Sequence, residues 1–377
     1  MRSLLVSAYS IDELIYNIDS KIKRGFNPSL AFIYIAITYN ISRLVGEIEK
    51  YPFLILGSTT VGEFYADKSS GVNDNEDSIT CMLIEINPKA IALKQLSLNG
   101  KAYYQTGQEI GEWAKEQFSD PTIVTLTSGL TFDCDDYVQG ISSCDISSIY
   151  GGVAGDDYRF KYTFVFSKDN YTNHGIVVLA IDNSKIDAIG SCACGWMGIG
   201  KKDIVTKAHK NILYEIDNRP AIEFYKKYLQ TTIDMPDTGR EYPLQVITKT
   251  QTIYRVVTDI NEYDGSLVLG GHIEPRSMVR IAVPQGQNIM NYVDSSIRES
   301  IAQDDGFIPD VALVFSCASR KQVLGAFAKE EIEIAYKAVD CPLIGFFAYG
   351  EIGTSTREYG FHNITFVTLL LKEKGVL

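Results

Sequence analysis

Apolar residues recur at helical spacing at Ile11, Leu14, Ile15, Ile18 and Ile22, which predicts a helix with one buried stripe. Residues 30–37 are a continuous apolar run and predict a strand buried on both faces. A second short helix follows over 41–50 and stops before Pro52. A strand at 53–56 then runs into Gly57-Ser58-Thr59-Thr60-Val61-Gly62-Glu63, and a last strand over 79–86 closes the unit. The same order returns twice. The second copy has a helix near Ile110, Trp113, Ala114 and Phe118 and a strand at 123–126. Its second helix begins near Cys134 with Asp133 as N-cap. A strand at 146–150 runs into Gly151-Gly152-Val153-Ala154-Gly155-Asp156, and strands at 162–166 and 175–181 follow. The third copy has Met290, Val293, Ile297 and Ile301 on its first helix, a strand at 311–315 and a helix over 330–338. It continues with a strand at 342–347, then Ala348-Tyr349-Gly350-Glu351, and ends on a strand at 366–371.

Each copy therefore sets a glycine and an acid just beyond a buried strand: Gly62-Glu63, Gly155-Asp156 and Gly350-Glu351. Glycine permits a turn or a close ligand approach, and strand ends are where crevices open in α/β sheets. The same residue types are also favoured in turns for local reasons, so both readings stand. Between the second and third copies, residues 221–229 predict a helix. Residues 235–241 are polar with Pro and Gly and read as a linker. Strands are expected at 244–248, 254–259, 266–269 and 278–283, and Gly270-Gly271-His272 echoes Gly151-Gly152-Val153, the trace of a decayed fourth copy.

The chain of 377 residues is 45% hydrophobic and 22% charged, enough for sizeable cores in two or three domains. Its net charge of −12 argues against a nucleic-acid or anionic-membrane partner. Seven cysteines without framework spacing, and a start lacking a secretory signal, predict a cytoplasmic protein with reduced thiols. No apolar run approaches the roughly 20 residues of a membrane span.

Candidate chemistry is sparse. Walker A and Gly-x-Ser-x-Gly patterns are absent. Cys317 follows a buried strand, the place of many reactive thiols but also of inert packing cysteines. Asp135-Asp136 and Asp156-Asp157 are adjacent acids, which point apart on a turn or strand; Asp156 with Glu351 would be the better acid pair.

Residues 312–320 (ALVFSCASR), residues 342–353 (PLIGFFAYGEIG) and His362-Asn363-Ile364-Thr365 resemble signatures of the C-terminal domain of FIST sensory proteins. The glycine motifs at 57–63 and 151–156 resemble those of the N-terminal FIST domain, and residues 220–225 resemble the joint between the two. The resemblance implies a sensor of a small molecule, with amino-acid-like ligands suggested for the family and haem-based nitric oxide sensing for one branch. Many members carry kinase, cyclase or methyl-accepting output modules. Here the chain stops at Leu377, which implies a separate signalling partner such as a histidine kinase, a cyclase or a chemotaxis-type receptor.

These observations predict a mixed α/β fold in two domains, 1–235 and 236–377, each built of repeated helix-strand-helix-strand-strand units. Mixed or antiparallel sheets lie beneath helices, with a pocket at strand ends near or between the domains. The nominated ligand contacts are Ser128, Gly155, Asp156, Ser316, Cys317, Arg320, Tyr349, Gly350 and Glu351. Arg320 is assigned a ligand carboxylate, and Glu351 or Asp156 an amine. No cofactor is expected; if haem binds, His272 or His209 is its ligand. An enzyme using Cys317 or an acid pair is a further alternative.

Overall fold

Strands buried on both faces need cover on both sides, and the three copies obtain it by packing around one another. In the computed structural model, which describes residues 1–98, 100, 102–146, 148–229, 237–304, 306–354 and 359–375, the first copy runs β1 (Arg2–Ala8), α1 (Ile11–Lys23), β2 (Leu30–Ala36), α2 (Ile41–Ile48), β3 (Leu54–Thr60), β4 (Glu63–Asp67), β5 (Gly71–Asn75) and β6 (Ile79–Glu85). The second runs β7 (Ile91–Ser97), α3 (Tyr103–Gln117), β8 (Pro121–Ser128), α4 (Cys134–Ser142), β9 (Ile149–Val153), β10 (Val165–Phe166), β11 (Tyr171–Thr172) and β12 (Gly175–Asp182). The third opens with β13 (Ile186–Ala193) and is then interrupted. The interruption holds β14 (Trp196–Gly198), β15 (Asp203–His209), β16 (Ile212–Ile216), β17 (Arg219–Pro220), α5 (Ala221–Leu229), α6 (Asp237–Glu241), β18 (Leu244–Ile247), β19 (Thr252–Arg255), β20 (Val257–Asn261), β21 (Ser266–Leu269) and β22 (Met278–Pro284). The third copy resumes with α7 (Gln287–Ile301), β23 (Val311–Cys317), α8 (Ala318–Leu324), α9 (Ala328–Val339), β24 (Leu343–Ala348), β25 (Glu351–Thr354), β26 (Tyr359–His362) and β27 (Phe366–Glu373).

The three copies build three sheets of identical pattern: β1-β6-β2-β3-β10-β11, β7-β12-β8-β9-β25-β26 and β13-β27-β23-β24-β4-β5. In each, one parallel pair (β2 with β3, β8 with β9, β23 with β24) lies among antiparallel neighbours. The last two strands of every sheet come from a different copy. The hairpin that follows the glycine-acid pair leaves its own sheet and adds to the next one, so the exchange is cyclic. The first copy gives β4-β5 to the third, the second gives β10-β11 to the first, and the third gives β25-β26 to the second.

The glycine-acid pairs are these crossing points. Backbone bonds stitch them together in the same way each time: Gly155 N–H to Thr59 O at 2.9 Å, Val61 N–H to Phe347 O at 3.0 Å, and Tyr349 N–H to Val153 O at 3.0 Å. A Cβ on Gly155 would stand 2.5 Å from Val61 Cγ2 and 2.9 Å from the Thr60 carbonyl carbon. Gly62 has φ +122°, a conformation that side chains rarely adopt.

The inner faces of the three sheets share one core. Phe32, Tyr34 and Leu56 meet Val124, Leu126 and Tyr150, and both sets meet Leu313, Phe315 and Phe346. The Phe346 ring lies 4.6 Å from Tyr34 and 5.7 Å from Phe315. Truncating such a ring to Ala would cost about 3–5 kcal/mol. Helices cover the outer faces over separate apolar layers. Local signals agree with this placement. Ser10 caps α1 by accepting from Glu13 N–H at 3.1 Å, with Asp12 and Glu13 in its first turn. Asp133 caps α4 through Asp136 N–H at 3.1 Å, as expected from the sequence.

Residues 196–284 do not form a fourth copy. Their strands pair only antiparallel among the described residues, in the order β19-β18-β22-β15-β16-β21-β20 with β14 on β22 and β17 on β16. Gly270-Gly271 follows β21 and does not mark a crossing. Within the expected linker, residues 237–241 form α6, while 235, 236 and the boundary set between them lie outside the described residues. Among the described residues, no helix is long and apolar enough to cross a membrane.

Candidate functional site

The parallel pairs of the second and third copies end side by side, and the antiparallel insert folds over those ends. Between them lies a cavity of ≈ 440 Å³. The carboxyl ends of β8, β9, β23 and β24 reach it through Gly129, Val153, Cys317 and Ala348, the position where α/β sheets hold ligands. The insert contributes Asn211, Arg240, Val256, Leu269, Gly270, Gly271 and His272.

One wall is aromatic and is set by Asp156. This buried carboxylate accepts from the backbone N–H groups of Phe160 at 2.9 Å, Lys161 at 2.6 Å and Tyr162 at 3.0 Å, and from the Tyr349 hydroxyl. The loop that it closes holds Asp157, Tyr158 and Phe160 at φ +57°, +57° and +50°. These are sparsely populated angles for such residues, kept by the surrounding bonds. Phe160 stacks on Tyr349 with ring centroids 4.8 Å apart and an interplanar angle of 13°, and is itself 50% exposed. The Tyr158 hydroxyl donates to Ala318 O at 2.8 Å.

The opposite wall is polar and crosses between the second copy and the insert. Asp133 accepts from Lys210 Nζ at 2.9 Å and pairs with His272 Nε2 at 3.0 Å. Asp135 accepts from Arg255 at 3.0 Å and from His272 N–H at 2.7 Å. Burial pushes the Asp133 carboxyl up, but His272, the Asp136 N–H and Lys210 outweigh it and hold the group well below the usual carboxylate range. Burial alone would lower His272; the Asp133 hydrogen bond and three nearby acids raise it above 6.5 on balance. Gly271 makes room for this network, since a Cβ there would stand 2.8 Å from Arg255 Nε and 2.9 Å from an Asp135 oxygen. Asp133, Asp135 and His272 could together offer ligand atoms to a metal ion. Lys210 and Arg255 already supply the positive charge that an ion would bring.

Of the nominated ligand contacts, Cys317 and Tyr349 line the cavity. Arg320 does not. Its guanidinium is fully buried on Glu331, donates to the carbonyls of Cys194 and Ile364, and lies 5.1 Å from the centre of the Trp196 ring. It holds the third copy together and has no donor to give a ligand carboxylate. Glu351 is also sealed. It accepts from Thr365 N–H at 3.1 Å, and burial drives its pKa up, which makes it a poor counterion for an amine. Asp156 spends its oxygens on the loop and on Tyr349, which makes it a positioning residue. Gly155 and Gly350 serve the crossings, Ser128 donates to Thr172 O at 3.0 Å, and Ser316 is fully buried in β23. Asp156 and Glu351 keep separate partners and do not form an acid pair. Cys317 is buried, and burial pushes its thiol pKa far up.

His272 lines the cavity, whereas His209 is exposed on β15 outside it. An axial haem ligand must be a neutral imidazole with a free nitrogen facing iron. The Asp133 bond takes Nε2 of His272, so only Nδ1 would be open to iron. His362 is buried, bonded to Gly353 O at 3.2 Å and lowered to about 4 by burial. No sequence signal marks Arg240, which lies in the expected linker, or Phe160, an isolated aromatic in a polar loop.

Comparison with known families identifies both halves. Residues 29–219 match the FIST N domain and residues 221–354 match the FIST C domain. The chain belongs to the FIST family. These domains are associated with sensory signal transduction and ligand binding. No curated protein matches the chain. The two FIST ranges meet next to Pro220, at the joint expected from residues 220–225. The cavity takes residues from both: Gly129 to Phe160 and Asn211 from FIST N, Arg240 to Tyr349 from FIST C.

Proposed function

We propose that this FIST protein is a cytoplasmic, non-catalytic sensor of a small organic ligand, an amino acid or a related compound. It would act on a separate signalling protein such as a histidine kinase, a cyclase or a chemotaxis-type receptor. The observation that carries this reading is the cavity shared by the two FIST ranges. A ligand there touches both at once, so occupancy favours the arrangement in which they close on it, and a partner reads the shifted population. The loop from Asp157 to Tyr162 is the part best suited to move. It is exposed at Phe160, held in costly backbone angles, and released from Tyr349 by loss of one ring contact.

The enzyme alternative finds little support, because burial pushes the Cys317 thiol up and the carboxyl beside it, Glu351, is itself buried and pushed up. A thermal-shift screen with amino acids, carboxylates and amines tests the proposal, with an absorption spectrum on the same sample. A ligand at 100 times its Kd should add about 2.7 kcal/mol of stability. Val268 of β21 also lines the cavity, and Val268→Trp, which would fill it, should abolish that gain. No stabilisation by any class, or stabilisation that survives Val268→Trp, would overturn the proposal. A Soret band would move it to haem.

A further inference from the structure

The cavity has an unequal electrostatic demand, which narrows the ligand class and rests on the sensor reading above. Every oxygen of its two carboxylates already accepts a hydrogen bond, and each carboxylate is paired with a cation. Asp133 accepts from the Asp136 N–H on one oxygen and from Lys210 on the other, and Asp135 accepts from Arg255 on one and the His272 N–H on the other. An ammonium entering the cavity finds no open carboxylate among the described lining residues.

Arg240 is different. Its side chain is 14% exposed, and its only described ion pair, through one terminal nitrogen, is with Asp237 on the same short helix. Asp237 is itself 64% exposed, so that pair is worth little. The Arg240 Nε is buried and has no hydrogen-bond partner. The residue lines the cavity beside Tyr158, whose hydroxyl feels its charge against the upward push of burial. A buried guanidinium N–H without an acceptor is costly, and a carboxylate is the group whose two oxygens match its fork.

We infer that the cavity takes a small aromatic carboxylate, with the anion on Arg240 and the ring against the wall of Tyr158, Phe160 and Tyr349. The α-ammonium of an amino acid adds nothing to the fit, and a flat ring uses aromatic contacts that an aliphatic chain cannot.

Calorimetric titrations of the full chain with benzoate, phenylacetate, benzamide, benzylamine and hexanoate test this. The acids should bind at least about tenfold more tightly than neutral benzamide, and benzylamine should bind weakest. Arg240→Gln should close the gap between benzoate and benzamide, and Arg240→Lys should restore part of it. Phe160→Ala should weaken phenylacetate more than hexanoate. Equal binding of benzoate and benzamide by the wild type, or a gap that persists in Arg240→Gln, overturns the inference. If benzylamine or hexanoate binds best and Val268→Trp abolishes that binding, the sensor reading stands and the aromatic carboxylate falls. If no probe here and no compound of the wider screen binds, both fall.

Discussion

The first and second copies place the same residue pair at the same crossing and use it in opposite ways. Glu63 is fully buried, and Thr60 and Ser78 donate to its carboxylate. Asp156, also buried, turns to its own chain and organises the six residues of the loop 157–162, and through Tyr349 it shapes the cavity wall. Topology fixes where an acid must be buried, while the sequence after it decides whether that acid builds a core or a site. The loop 157–162 is present only in the second copy, and the cavity lies where that copy meets the third.

The comparison can be broken most severely at the glycine. Gly155→Val would drive a branched side chain into Val61 and the Thr60 backbone, so a loss of about 4 kcal/mol or more is expected in urea denaturation. A loss under about 1 kcal/mol would show that the crossing tolerates separation.

The next effect belongs to Glu63, whose pKa burial raises from 4.5 to about 7. Below pH 4.5 it is protonated folded or unfolded, and its full contribution is present. As pH rises through 7 the buried carboxylate must ionise, and about 3 kcal/mol is lost. Glu63→Gln should flatten stability between pH 4.5 and 7. An unchanged pH profile would mean that another group carries it.

Asp156→Asn is expected to cost about 2 kcal/mol, because the amide can accept from fewer of the loop N–H groups. It should also weaken ligand binding, which Glu63→Gln should leave unchanged. Equal effects of the two variants on binding would erase the distinction between the crossings. The smallest effect serves as a control. Gly46→Ala, at an exposed α2 position with open space around it, should stabilise by about 0.5–1 kcal/mol, read as a rise in midpoint.

The three copies were legible because a strand buried on both faces leaves a largely apolar run, unbroken in β2 and over residues 311–315 of β23 and interrupted by threonines in β8. The helix cap at Asp133 was legible for the same local reason. Strand exchange was not. Alternation along a strand tells which face is buried but not which distant strand lies beside it. Arg320 was misassigned because a buried structural arginine and a ligand-binding one look alike until Glu331 is seen beside it. Arg240 was passed over because Pro and Gly around it mark a break in pattern, and a break conceals a short helix as easily as a linker. Of the polar wall, Asp133, Asp135 and His272 stand out in the sequence one by one, but not as one network. Gly271 echoes a glycine of the second copy in sequence, but its role in the fold is to admit Arg255.

The cyclic exchange of hairpins also separates the unit that is inherited from the unit that folds. The FIST C range contains β24 but not the strand beside it, since β4 comes from the far end of the FIST N range. The FIST N range likewise contains β9 but not its neighbour β25. A gene cut at residue 220 would yield two polypeptides, each with a bare sheet edge that only the other can cover. Mixed in solution they should recombine, and kept apart each should seek other edges, the usual route to aggregation.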